Sequence, residues 1–239
     1  MRLFHEIEDL HKAFYLIDCV NCGYLQPFMD DRSRGIDLSV MEYTFIVEHM
    51  EEEMFEWCIN EYTHMIKRVG TNIVFCNLPE DFVSNPPRAF QDSVLETRSV
   101  TDLGIPFSEI CLMDSESSVC LAPLDSTDDQ AKKFKYYLLG GILGNVDEFD
   151  MDRTKELREL GFPTRNLGNF QMSTDTALIV SDLILKGTKF EDLSFIDRPE
   201  IPLRDGESIV MNFRYLNENG EPLMADGIKE LLLQEDDFF

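Results

Sequence analysis

Two short apolar runs, each followed by glycine, stand out in the pattern of hydrophobic and polar positions. Residues 136–139 are apolar throughout, which is typical of a parallel strand buried on both faces, and Gly140 and Gly141 follow. A second short strand is predicted at 164–167, directly before Gly168. Glycine lets the chain turn tightly and lets a ligand approach backbone N–H groups. The pattern therefore predicts two ligand-binding turns, side by side at the carboxyl edge of one parallel sheet.

The same reasoning predicts the other elements. Alternating or continuously apolar stretches predict strands at 43–47, 72–76, 110–113, 119–122 and 193–196. Apolar residues at three-four spacing predict helices at 51–69, 88–98, 151–160 and 173–187. Ser173 is a good N-cap for the last of these helices, and Gly187 is a typical C-terminal stop. Beyond 199 the pattern predicts irregular chain until a short amphipathic turn at 227–234.

Charge narrows the choice of partners. The 239 residues include 21 Lys and Arg against 46 Asp and Glu, a formal net charge of −25, while 44% of the residues are hydrophobic. A hydrophobic content of this size can form a real core. An acidic surface repels phosphate backbones, so nucleic acid is an unfavourable partner and a cationic one is favoured. Plain solubility is the other explanation of the charge.

Cysteine usage indicates a reducing compartment. The six cysteines are scattered, and no secretory signal precedes them, so the chain is expected to be cytoplasmic with reduced thiols. Cys19 and Cys22 form a C-x-x-C pair near His5 and His11, but the spacing is not finger-like and no metal is expected. No apolar run reaches the roughly 18 residues that a membrane span needs.

Four segments together resemble the SPOUT superfamily of knotted methyltransferases. They are FIVEHMEEEMFEW (45–57), YYLLGGILG (136–144), DRTKEL (152–157) and LGNFQMSTDTA (167–177). The resemblance is nearest to the branch of protein arginine methyltransferases that modify a small-subunit ribosomal protein. It implies an α/β fold with a SPOUT-type parallel sheet and a C-terminal trefoil knot at about 136–187. The resemblance covers about 43–216, the methyltransferase domain. It leaves a C-terminal tail (217–239) and an N-terminal extension (1–42), in which roughly helix-spaced apolar residues predict a short amphipathic helix.

The resemblance implies S-adenosylmethionine as cofactor, bound bent in the loops of the knot. In physical terms, small residues expose backbone groups to the adenine edge while Leu and Met side chains cover its faces. The cofactor-binding residues that the resemblance implies are Leu121, Ala122, Pro123, Leu139, Gly140, Gly141, Leu143, Gly144, Leu167, Gly168, Asn169, Met172, Thr174 and Thr176.

Acidic residues crowd the end of the predicted strand 43–47. A carboxylate can orient a guanidinium and accept the proton that it loses, so Glu48 is a catalytic candidate, with Glu51 and Glu52 as substrate-binding residues. The alternative is an acidic first helical turn, favoured by the helix dipole, which explains Glu48 poorly. Trp57, the only tryptophan, is predicted either to stack on the guanidinium or to pack in the core.

The resemblance adds Asp152 and Arg153 as catalytic candidates after the first knot loop, with Asp152 as a base or simply a helix N-cap. The chain departs from the family pattern here, because 145–151 is longer than the family's link and lacks its proline. His49 has no partner evident in the sequence and is assigned no role.

The resulting hypothesis is methylation of an arginine side chain on a basic ribosomal protein by a monomer. A knot-mediated homodimer is the alternative assembly. Methylation of RNA and a non-catalytic cofactor-binding module remain the alternative functions.

Overall fold

A parallel six-stranded sheet forms the centre of the protein. The computed structural model describes residues 43–123, 134–141, 154–203 and 206–235. All the strand pairs of the sheet are parallel and the order is β3-β2-β1-β5-β4-β6. Its strands are β1 (Thr44–His49), β2 (Ile73–Cys76), β3 (Val94–Leu95), β4 (Ile110–Met113), β5 (Tyr136–Gly141) and β6 (Thr164–Arg165). The prediction of an α/β fold on a parallel sheet is confirmed.

The two central strands, β1 and β5, are buried along most of their length, because both of their faces are covered. Phe45 and Val47 of β1 point into the larger core cluster, whereas Ile46 points into the cluster on the opposite face. At the carboxyl end, Glu48 pairs with Gly140, and His49 with Gly141. Strand β5 thus continues through both glycines, which the sequence pattern had assigned to a turn.

Two long helices pack on the same face of the sheet. Helix α1 (Glu56–Val69) buries Cys58, Tyr62, Met65 and Val69, the predicted stripe. Helix α4 (Thr174–Leu185) follows Ser173 and is buried along most of its length, as its apolar sequence requires. The short helices α2 (Glu80–Ser84) and α3 (Thr154–Arg158) lie between them in the chain.

Three sequence predictions are corrected. Helix α1 begins at Glu56 rather than at 51, because residues 51–53 form bends and Phe55 is the extended residue before the helix. Residues 88–98 form a single 3₁₀ turn, Arg88–Phe90, followed by β3, since Phe90 is drawn into the core and β3 pairs with β2. Residues 119–122 make one isolated bridge, Cys120 to Asn166, instead of a strand.

The chain beyond 199 is also more regular than its sequence indicated. Strands β7 (Phe195–Asp197), β10 (Arg214–Glu218) and β11 (Glu221–Pro222) form one antiparallel sheet, and β8 (Glu200–Pro202) pairs with β9 (Ser208–Val210). Asn219 and Gly220 have φ of 57° and 93°, so they make the tight Asn-Gly turn of the β10–β11 hairpin, a signal that the sequence analysis overlooked. Helix α5 (Ile228–Glu235) packs beside α1.

No helix in the described part of the chain is long and apolar enough to cross a membrane. The predicted knot passes through 142–153, which lies outside the described residues, so the knot stays a prediction.

Candidate active site

The carboxyl ends of β1 and β5 bring the first predicted catalytic residue beside the first glycine pair. Glu48 and Gly140 are direct partners in the register of the two strands. The Thr174 hydroxyl, at the start of α4, donates a hydrogen bond to the Gly140 carbonyl at 3.0 Å. Three segments that are far apart in sequence therefore meet at this edge, and each carries residues predicted for the site.

A second group of predicted residues meets around Asn166. The Leu121 N–H donates to the Asn166 carbonyl at 2.9 Å. The 121–123 segment therefore lies beside the second predicted ligand-binding turn, which contains Gly168. The Asn166 side-chain oxygen accepts from the Gly168 N–H, also at 2.9 Å. Gly168 has φ of 87°, a conformation that other residues rarely adopt, and this explains its glycine.

Apolar residues assigned to the cofactor share one core cluster. Leu121, Leu139 and Leu167 are buried in the cluster that α1 and α4 cover, and Met172 packs against it. Such side chains can cover the faces of an adenine ring. Ala122 and Pro123 are half-buried, and Asn169 is exposed. Thr176 is buried and its hydroxyl accepts from Ser173 at 2.9 Å, so this side chain stabilises the start of α4.

The Glu48 carboxyl group is buried and held by backbone. Its Oε2 accepts a hydrogen bond from the Val100 N–H at 2.9 Å, and the side chain is only 5% exposed. Burial raises the pKa of Glu48 above its ordinary value, although hydrogen bonds from Ser99 and Val100 oppose the shift. A carboxylate with a raised pKa is a better proton acceptor near neutral pH than an ordinary one.

The acidic loop, which we define as residues 50–55, joins β1 to α1. Because these residues precede the helix, the explanation of Glu51 and Glu52 as an acidic first turn is wrong. Glu52 and Glu53 are exposed, whereas Glu51 is half-buried. Two exposed carboxylates thus follow the buried Glu48 within a few residues of the chain, and Glu48 itself pairs with Gly140.

Sequence reasoning missed a buried pair under the acidic loop. His49 Nδ1 lies 3.0 Å from the Tyr62 hydroxyl, and His49 Nε2 lies 3.2 Å from the Glu53 carbonyl oxygen. Both side chains are almost fully buried. The only available signal was that Tyr62 belongs to the buried stripe of α1; the sequence could not show which strand end this stripe would meet.

Trp57 packs against other side chains of the protein, as one of the two alternatives from the sequence expected. Its body packs against the cluster formed by the C-terminal strands and α5, and its indole N–H donates to Glu61 at 2.9 Å. Stacking on a substrate guanidinium stays a prediction. Leu143, Gly144, Asp152 and Arg153 lie outside the described residues, as do Cys19 and Cys22.

The fold of the chain is that of a methyltransferase family. The sequence model described as "Protein arginine N-methyltransferase SFM1-like" matches residues 44–237. The chain belongs to this SFM1-like family, and the family membership predicted from the four segments is confirmed.

Individual relatives agree with this assignment. Protein arginine N-methyltransferase SFM1 of Saccharomyces cerevisiae is 35% identical over 209 residues, which are 80% of this chain and 94% of the yeast protein. The crystal structure of yeast SFM1 complexed with SAM superposes with a TM-score of 0.72 at 32% identity, covering 83% of this chain and 93% of the yeast chain. The yeast complex with SAH gives a TM-score of 0.68 at 34% identity and covers 79% and 94% of the two chains.

Proposed function

We propose that the protein transfers a methyl group from S-adenosylmethionine to a guanidinium nitrogen of an arginine in a basic ribosomal protein. The observation that carries the proposal is the pairing of Glu48 with Gly140, which places a residue with a buried carboxyl group beside the first glycine pair predicted to bind the cofactor. Membership in the SFM1-like family and the SAM complex of the yeast relative support the reaction type.

The residues at the sheet edge fit such a cofactor. Leu121, Leu139 and Leu167 provide apolar surface, and the left-handed conformation of Gly168 exposes backbone beside them. When bound, S-adenosylmethionine supplies an electrophilic methyl group. The chain orients it and keeps water away, which in general accounts for much of the acceleration in group transfer.

Glu48 is the proposed proton acceptor. A guanidinium has no free lone pair in its plane and must lose a proton to act as a nucleophile. The carboxyl of Glu48 is fixed by Val100, and its raised pKa suits it to take that proton. Asp152 and Arg153 are proposed to complete the site from the first knot loop.

The acidic loop is proposed to receive the positively charged side chain. Glu51 and Glu52 provide carboxylates in this loop. The net charge of −25 attracts a basic protein over a longer range. Ribosomal proteins are strongly basic, so they fit this surface, whereas RNA does not. We propose that the protein acts on such a partner in the cytoplasm as a monomer.

The substrate class is tested with methyl-labelled S-adenosylmethionine and a ribosomal extract. We expect label in protein that survives RNase and is released as methylarginine after acid hydrolysis. Label that RNase removes and protease does not would exclude the proposal in favour of RNA methylation. Absence of any label, with the cofactor bound, would favour a non-catalytic module.

Glu48→Gln tests the proton acceptor. The amide keeps the shape but accepts no proton, so kcat should fall by about 10²–10⁴ while binding of S-adenosylhomocysteine stays within about twofold. Glu109→Gln is the matched control, because Glu109 lies at the amino end of β4 and pairs with exposed Lys135. An unchanged kcat in Glu48→Gln would rule out the assigned role.

A further inference from the structure

His49 connects four segments around the candidate site although it is itself fully buried. Its ring contacts the Tyr62 hydroxyl on α1 and the Glu53 carbonyl in the acidic loop. Its backbone carbonyl accepts from the Asn77 side chain at 2.8 Å, and its backbone pairs with Gly141 of β5. A side chain with 0% exposure cannot touch substrate, so any effect on the reaction must be indirect.

Tyr62 sits against the backbone of the first glycine pair. A Cβ added at Gly141 would lie 2.0 Å from the Tyr62 hydroxyl oxygen, closer than any real contact. The Tyr62 ring also stacks on Phe75 with centroids 4.8 Å apart, which fixes its position in the core. The glycine at 141 is therefore required by the tyrosine, and the tyrosine places its hydroxyl at His49.

The chemistry of Tyr62 and Glu53 determines which ring nitrogen of His49 donates a hydrogen bond and which accepts one. The Glu53 carbonyl oxygen can only accept, so Nε2 of His49 carries a hydrogen and donates. Nδ1 of a neutral ring then accepts from the Tyr62 O–H, whose pKa burial raises well above its ordinary value. The result is a directed chain from Tyr62 through His49 to the backbone of the acidic loop.

The same loop is attached to β5 by a second bond. The Met50 N–H donates to the Gly141 carbonyl at 3.1 Å, at the first residue of the loop. The His49 ring bonds the loop near its other end, at Glu53. Between these two attachments lie Glu51 and Glu52, so the position of both carboxylates relative to Gly140 depends on the ring.

We propose that His49 is a positioning residue, which with Tyr62 holds the acidic loop in place for the cationic substrate. This inference rests on the proposed function, in which that loop receives the guanidinium. It assigns to His49 and Tyr62 an effect on substrate recognition and none on cofactor affinity.

The test compares Tyr62→Phe and His49→Gln with Tyr43→Phe. Tyr43 is also a buried tyrosine, and its hydroxyl donates to Asp182 at 2.9 Å, but it lies at the amino end of β1. With basic proteins extracted from the small ribosomal subunit as substrate, the two site variants should raise the apparent KM about tenfold. Their kcat and their affinity for S-adenosylhomocysteine should stay within about twofold, and Tyr43→Phe should match the wild type in all three.

Amide hydrogen exchange gives a reading that does not depend on the substrate. Exchange at residues 50–55 should be about tenfold faster in Tyr62→Phe than in the wild type and unchanged in Tyr43→Phe. If ribosomal proteins are not substrates at all, faster exchange confined to the acidic loop would still support the positioning role. Unchanged exchange, or a KM like that of the wild type, would overturn it. An imidazole ¹⁵N spectrum showing Nε2 without a hydrogen would overturn it as well.

Discussion

At the scale of single residues, the two neighbouring glycines of β5 have different tasks. Gly140 presents its carbonyl to Thr174 and pairs with Glu48. Gly141 leaves room for the Tyr62 hydroxyl. Neither is a turn residue in the part of β5 that the structure describes, so the need for glycine comes from packing, at least at 141.

Gly141→Ala should destabilise the protein by about 1–3 kcal/mol, because the new methyl group overlaps the Tyr62 hydroxyl. Adding Tyr62→Phe removes the overlapping oxygen and should recover part of the loss, since the next atom of the ring lies 3.1 Å away. Urea unfolding of the single and double variants measures both effects. Strictly additive losses would show that the two residues do not compete for space.

Part of the candidate active site could be predicted from the amino-acid sequence. The short segments around Glu48, Gly140 and Gly168 could be assigned because they carry a family pattern. The partnership of His49 with Tyr62 could not, because it depends on how α1 settles against the sheet. Likewise the sequence could not show that Val100, 52 residues after Glu48, donates to its carboxylate.

At the scale of elements, buried acids join α1 to the start of α4. Asp175 accepts from His64 Nδ1 at 2.8 Å and from the Thr176 N–H at 2.7 Å. Glu61 is nearby and accepts from Trp57. Burial, together with the charge of Asp175, raises the pKa of Glu61 well above 4.5.

Glu61→Gln should make stability less dependent on pH. Folded Glu61 keeps a proton that the unfolded chain has already lost above about pH 4.5, so the wild-type free energy of unfolding falls as the pH rises from there towards the folded pKa. Glutamine has no proton to lose, and this decline, at most about 1.4 kcal/mol per pH unit, should disappear. Urea unfolding between pH 5 and 8 measures it, with exposed Glu191→Gln as control; parallel curves for wild type and Glu61→Gln would contradict the expectation.

The short helix α3 is attached to β4 by an ion pair. Arg158 donates two hydrogen bonds to the buried carboxylate of Asp114, at 2.6 and 2.5 Å. Burial alone would raise the pKa of Asp114, but the bonds from Arg158 and the Glu116 N–H outweigh it and lower the pKa. The pair therefore stabilises the fold above the unfolded pKa of Asp114, and this stabilisation is lost as the pH falls through the folded value.

Asp114→Asn should cost about 1–3 kcal/mol at pH 7, because Arg158 keeps its charge and loses its hydrogen bonds to the Asp114 carboxylate. Asp197→Asn removes a similar pair with Arg214, but Asp197 is largely exposed and the cost should be smaller. Thermal unfolding of both variants measures the two losses of stability. An equal loss in both would mean that burial of Asp114 adds nothing to the pair.

At the scale of the whole molecule, we expect the net charge of the protein to control how fast it meets a basic substrate. The net charge of −25 produces a negative field that extends into solution and is screened over about 10 Å in 0.1 M salt. A basic protein with many positive charges is attracted strongly by this field, whereas a small cofactor with little net charge is attracted only weakly.

The value of kcat/KM for basic ribosomal proteins should fall about tenfold between 50 and 500 mM NaCl, since steered association weakens with salt. Affinity for S-adenosylhomocysteine should change less than twofold over the same range. Methylation rates measured at subsaturating substrate test the first expectation and calorimetry tests the second. A salt-independent kcat/KM would show that long-range charge has no part in substrate capture.

The parallel sheet was predictable because buried parallel strands are continuous apolar runs. The order of its strands was not predicted. Strand β7 overlaps the strand predicted at 193–196, but the C-terminal strands after it were not predicted. Strands β8 to β11 have two to five residues each and half-exposed faces that give little periodicity. The Asn219-Gly220 turn was the one local signal that could have located them.

The position of β10 has a consequence for the start of α4. Buried Tyr215 of this strand packs with Ala225, Ile228 and Leu232, and its neighbour Arg214 forms a bridge with Met172, two residues before α4 begins. A residue predicted to bind the cofactor is thus held from outside the parallel sheet. Damage confined to the small C-terminal sheet should therefore reach the predicted cofactor site even while the central strands remain folded.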